Sequence, residues 1–143
     1  MAGYSASGQA RKLGVKPGLR VLLDAAPVDW SFDEEPDGVE VLTGAAVTDA
    51  AKADIVLCFV TEAASIAARL DENGRRIYPA GSLWMLWPRK AAGHTSDVTE
   101  NLIRDAALER GLVDVKVAAV SEDWSGLKIV WRVENRASLD PPA

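Results

Sequence analysis

Apolar and polar positions along this chain repeat with two different periods, and the changes of period mark its elements. A nearly unbroken apolar run, Ser82 to Trp87, predicts a strand buried on both faces, and Pro88 stops it by removing a ladder donor. Ala53 to Val60 is a second run of the same kind and predicts a parallel neighbour. Leu19 to Leu23 and Val39 to Leu42 are shorter strand candidates, the first entered through the Lys16-Pro17-Gly18 turn and closed by Asp24-Ala25-Ala26-Pro27. Behind Thr61, read as an N-cap, Ala63, Ile66, Ala67 and Leu70 form one helical face that ends at Asn73-Gly74. From Asp97 to Arg110 a stronger helix presents Val98, Leu102, Ile103, Ala106 and Ala107, with Asp97 and Glu100 as a capping box and Gly111 as the stop. Val113 to Val120 and Leu127 to Val133 are strands joined by Ser121 to Gly126, a linker too short for anything but a hairpin.

The remaining segments are weaker. Gln9 to Leu13 reads as a short helix ending at Gly14, and Ala45 to Lys52 as another, capped near Thr48. Val28 to Gly38 is an acidic loop, broken by Pro36 and anchored only by Trp30 and Phe32. Residues 1–8 and 135–143 read as a flexible arm and tail around a single domain, 9–134. Strand, helix, strand, helix, strand closed by a hairpin predicts an α/β, Rossmann-like fold, with a mostly parallel sheet of about six strands and a C-terminal antiparallel hairpin.

Composition narrows the function classes more than it names one. With 16 basic and 21 acidic residues the net charge is −5, which argues against nucleic acid and anionic membranes as partners. Cys58 is the only cysteine and His94 the only histidine, so neither an internal disulfide nor a multi-histidine metal site is expected. No stretch has the length or apolarity of a membrane span or a secretory leader, which predicts a cytoplasmic protein.

Two resemblances add to this reading. Leu13-Gly14-Val15-Lys16-Pro17-Gly18-Leu19-Arg20-Val21-Leu22, the Pro79-Ala80-Gly81-Ser82-Leu83 turn and the terminal hairpin resemble class I methyltransferases that use S-adenosylmethionine. The likeness implies their fold, but Asp24-Ala25-Ala26-Pro27 stands where the glycine-rich loop belongs, and Thr43-Gly44 where the ribose-binding acid belongs. The short text from Leu42 to Ala53 leaves no room for the third strand, so no cofactor is predicted. More closely, Leu83-Trp84-Met85-Leu86-Trp87-Pro88-Arg89-Lys90, Thr95-Ser96-Asp97-Val98-Thr99-Glu100, Gly111-Leu112-Val113-Asp114-Val115-Lys116-Val117 and Trp124-Ser125-Gly126-Leu127-Lys128 resemble a bacterial family catalogued as domain of unknown function 3052. That family implies a fold and no activity.

The candidate site is the loop between the central strand and the following helix. Trp87, Arg89, Lys90, His94, Thr95, Ser96 and Asp97 gather cations, a proton carrier and a helix N-terminus, which suits a small anionic ligand. Asp24 and Thr61, at the ends of parallel strands, and Trp124 in the hairpin linker complete it. Two readings follow: a non-catalytic module that binds a ligand, a protein partner or a second copy through an uncovered apolar face, or a small enzyme acting on an anionic metabolite, a divergent methyltransferase among the options, with His94 or Asp97 moving a proton.

Overall fold

The computed structural model describes residues 8–34, 36–44, 47–48, 51–90 and 93–137. The described elements are α1 (Gly8–Leu13), β1 (Arg20–Asp24), β2 (Glu40–Leu42), β3 (Ile55–Phe59), α2 (Ile66–Ile77), β4 (Ser82–Pro88), α3 (Glu100–Glu109), β5 (Leu112–Ala119) and β6 (Trp124–Trp131). They build a six-stranded sheet in the order β2-β1-β3-β4-β6-β5. The first four strands are parallel, and β6 runs antiparallel to both β4 and β5. Among the described residues the sheet ends at β2 on one side, in line with the short Leu42 to Ala53 text.

Burial explains why the two apolar runs become the centre. All five residues of β3 are buried, as are Leu83 to Leu86 of β4, because each strand has cover on both faces. On one face Leu22, Val56, Cys58, Leu83, Met85, Leu127 and Ile129 pack under α2 and α3 through Ile66, Leu70, Ile103 and Ala107. On the other, Val21, Leu57, Phe59, Trp84 and Leu86 pack under α1 and the 25–38 loop through Leu13, Val15 and Phe32. The Trp84 ring is fully buried and its Nε1 donates to the Leu13 carbonyl at 3.2 Å, so the polar end of the ring stays satisfied. The sheet face expected to be uncovered is therefore closed over β1, β3 and β4 by the short α1 and a loop.

Three local expectations give way to tertiary contacts. The Asn73-Gly74 pair does not end α2, which continues to Ile77 because the Trp131 indole packs on Gly74 and donates to its carbonyl at 2.8 Å. Asp97 does not cap α3: the helix starts at Glu100, and the Thr99 hydroxyl accepts from Leu102 N. Trp124 lies within β6 instead of the hairpin linker, since Pro88 and Trp124 are paired across β4 and β6. The helix expected over Ala45 to Lys52 falls largely outside the described residues, as do the 1–8 arm before Gly8 and the tail beyond residue 137. Asn135 and Arg136, assigned to that tail, are fastened to the body: Asn135 Nδ2 donates to Gly111 O and Arg136 Nε to Trp131 O.

Candidate functional site

In an open parallel sheet the crevice lies beyond the C-terminal strand ends, where the chain reverses its direction of travel across the sheet. Here β1 is followed by β2 on one side and β3 on the other, and the loops after β1, β3 and β4 open on one cleft of about 550 Å³. Pro27 and Trp30 enter it after β1, Thr61 after β3, Pro88 and His94 after β4, and Trp124 from the start of β6. The aromatic floor is built by contact. Trp30 meets Phe32 and Phe59 edge-on at 5.1 and 5.2 Å between ring centroids, and Phe59 meets Trp124 in the same way at 5.0 Å. Such pairs add about 0.5–1.5 kcal/mol each beyond their buried area, enough to fix an irregular loop against a sheet.

Around that floor stand four carboxylates, Asp29, Asp33, Glu122 and Asp123. His94 Nε2 lies 2.9 Å from Asp123 Oδ1, with both side chains largely exposed. Arg89 lies outside the cleft lining: its Nη1 donates to the carbonyls of Glu122 at 3.0 Å and Ser121 at 3.4 Å, while its backbone N donates to Asp123 O. It holds the hairpin turn. Lys90 and Thr95 are exposed and lie outside the cleft lining.

The other sequence candidates are spent on joining elements. The Ser96 hydroxyl donates to Thr61 O at 2.8 Å and accepts from Val98 N, and Asp97 Oδ1 accepts from Ala63 N at 2.7 Å. Asp97 thus caps the short 3-10 turn leading into α2, a service it renders across the sheet edge. Trp87 packs against the α2 and α3 side of the core, opposite to Trp124. Asp24 also turns to that side. Its carboxylate accepts from Asn73 Nδ2 at 2.9 Å and Arg69 Nη1 at 3.1 Å, and Arg76 Nη1 stands 3.7 Å away.

A family model for a protein of unknown function, DUF3052, aligns with residues 10–133. The chain belongs to that family. Among solved structures, this DUF3052 protein is similar to a protein in the NADB-Rossmann superfamily from Streptococcus agalactiae, at a TM-score of 0.53 and 12% identity, over 89% of this chain and 69% of that one. It is also similar to the Bacillus subtilis tRNA methyltransferase TrmK, at 0.51 and 11% identity over 91% and 68%, and to LepI in complex with SAM, at 0.51 and 10% over 86% and 39%. These likenesses show a Rossmann-like, methyltransferase-like fold. A search of curated proteins returns no significant match by sequence.

Within that scaffold the DUF3052 chain has Asp24-Ala25-Ala26-Pro27 after β1 in place of a glycine-rich loop. Ala25, directly after β1, has φ of 61°, a conformation that costs a residue with a Cβ about 1–2 kcal/mol. The neighbouring Cys58 is buried and held as a thiol. Burial first, then the charge of Asp24, hold its thiol well above the usual range, and Sγ lies 3.7 Å from Asp24 Oδ2 as a donor. Among the described residues no cluster of His, Cys, Asp and Glu has metal-binding geometry.

Of the residues singled out from the sequence, Thr61, His94 and Trp124 line the cleft; Asp29, Trp30, Asp33, Glu122 and Asp123 line it too and were not singled out. The signal for Asp29, Trp30 and Asp33 was the acidic loop itself, where two aromatic residues in a strongly polar stretch must bury against something.

Proposed function

We propose that this protein is a non-catalytic binding module on a methyltransferase-like scaffold, and that the cleft takes a small organic cation. The lining carries this reading: four carboxylates stand beside the Trp30 and Trp124 rings, and the nearby guanidinium of Arg89 is committed to carbonyl oxygens. A ring face attracts a cation by about 0.5–2 kcal/mol, and clustered carboxylates add a field of the same sign. An anionic metabolite, the class suggested by Arg89 and Lys90 in the sequence, would meet four like charges there. Binding rather than turnover is favoured because the lining offers no activated nucleophile; its titratable pair, His94 and Asp123, sits at the exposed rim.

A second reading, a divergent methyltransferase, is favoured by one observation. Ala25 keeps a left-handed turn where a cofactor loop would begin, and the sulfonium of S-adenosylmethionine, named in the LepI complex, is itself an organic cation. Thermal melting and calorimetric titration with tetramethylammonium, spermidine and S-adenosylmethionine separate the two. The binding reading expects a melting increase with the simple cations that Trp124→Ala and Asp123→Asn each abolish. A larger response to citrate than to spermidine would overturn it, and transfer of a radiolabelled methyl group to any acceptor would select the second reading.

A further inference from the structure

The opposite edge of the sheet carries the reverse charge and is built with as much care. An open cleft of about 770 Å³ crosses the N-terminal strand ends, lined among others by Arg20, Lys52, Arg76 and Lys128 and by two acids, Glu40 and Asp54. Both acids are already engaged: Glu40 pairs with Arg20 Nε at 3.1 Å, and Asp54 Oδ2 accepts from Arg20 N at 2.8 Å. Lys52 Nζ is held by Arg75 O. Lys128 differs from these. It makes no hydrogen bond or ion pair among the described residues, and its cross-strand partner on β5 is another lysine, Lys116, equally without one.

Like charges directly opposite one another destabilise a strand pair by up to about 1 kcal/mol, so this arrangement is costly unless something answers it. The backbone is shaped to produce it. A register shift between Asp114 and Lys116 skips Val115 and brings Lys116 into register with Lys128, on the side of the sheet that carries Trp84. Bulges of this kind re-aim a side chain. Lys116 Nζ then lies 5.7 Å from the centroid of the Trp84 ring, which itself pairs with Lys128 across β4 and β6. Partial burial and the Lys116 charge push the Lys128 ammonium below its ordinary range, as expected for two cations converging on one place.

We propose that Lys116 and Lys128 form a second binding site, distinct from the C-terminal cleft, for a doubly charged anion of the phosphate class. A dianion neutralises both ammonium groups at once, and the adjoining cleft has room for a phosphate carried on a larger body such as a mononucleotide.

The test is melting of the full chain in sodium phosphate against sodium chloride at matched ionic strength, with adenosine monophosphate as a second arm. Phosphate should raise the melting temperature of the unaltered protein. Lys116→Met with Lys128→Met, which keeps the apolar stems, should melt higher than the parent in chloride and lose the response to phosphate. Lys128→Met alone should weaken affinity about tenfold. A response to both ligands assigns the site to the phosphate group itself, and one confined to the nucleotide assigns it to nucleotides; either supports the proposal. In the unaltered protein, phosphate should also shift the backbone amide signals of Lys116 and Lys128. Absence of any melting or amide response, a response that survives the double substitution, or a double variant that melts below the parent in chloride would each overturn it.

Discussion

On the α2 face of the sheet Asp24 is gripped by Arg69, Asn73 and Arg76, three side chains of one helix that lie on successive turns. On the α1 face the corresponding cover is a loop pinned by Trp30 and Phe32, with the buried Gln9 tying it down: Gln9 Oε1 accepts from Asp33 N, and Nε2 donates to Val120 O. The contrast separates two uses of polarity at the same strand ends. Where a helix packs on the sheet, the polar groups face inward and bond largely to one another. Where a loop packs, the aromatic side chains supply the cover and the carboxylates are left at the rim.

The sharpest way to break that contrast is to remove Asp24. Asp24→Ala leaves Arg76, only 5% exposed, without its carboxylate, and its Nε already has no hydrogen-bond partner among the described residues. Stranding buried cations in this way costs about 3 kcal/mol, so chemical denaturation should show a large loss of stability with the C-terminal cleft unaltered. A mild effect on stability together with lost ligand binding would return Asp24 to the site.

Gly126→Ala tests the other face. A Cβ there would lie 2.7 Å from Leu86 Cδ2, 2.8 Å from Val120 Cγ2 and 2.9 Å from Trp84 Cε3, all atoms of the loop-covered core. Trp84 is locked by its bond to Leu13 O and cannot move aside, so overpacking should cost about 2 kcal/mol. The same substitution would leave the α2 side almost undisturbed, which amide exchange in α2 and α3 can check.

The two faces also differ in how far the sequence discloses them. The strands were legible because two-sided burial writes unbroken apolar runs, and α3 because its face repeats at helical spacing. The candidate site was read from the residues beside β4, and there the sequence hides the long-range partners: Arg89, Ser96 and Asp97 have the chemistry of an anion site, and they bond to carbonyls and amides of segments far off in the chain. Spacing reports local partners only. Asp97 and Glu100 satisfy the capping pattern, but Thr99 sits closer to the helix start and takes that role, which frees Asp97 to reach Ala63. Asp97→Ala should accordingly cost about 1 kcal/mol by uncapping the turn before α2, while the helicity of α3 persists; Thr99→Ala should do the reverse.

Cys58 offers the finest reading of whether the faces act separately, because it is fully buried on the α2 side and reports opening there. Its folded thiol is held above the ordinary value of 9.0 by burial and by Asp24, so the stabilising contribution is complete at neutral pH and is lost as pH rises past that value, where the unfolded chain ionises first. At pH 8 a disulfide reagent should react with native protein only through opening. Trp124→Ala, which loosens the loop face, should change that rate little; Ile103→Ala, which leaves a cavity under α3, should raise it. Equal acceleration by both would mean that the sheet opens as one unit, and that the division between a structural face and a binding face is one of chemistry rather than of stability.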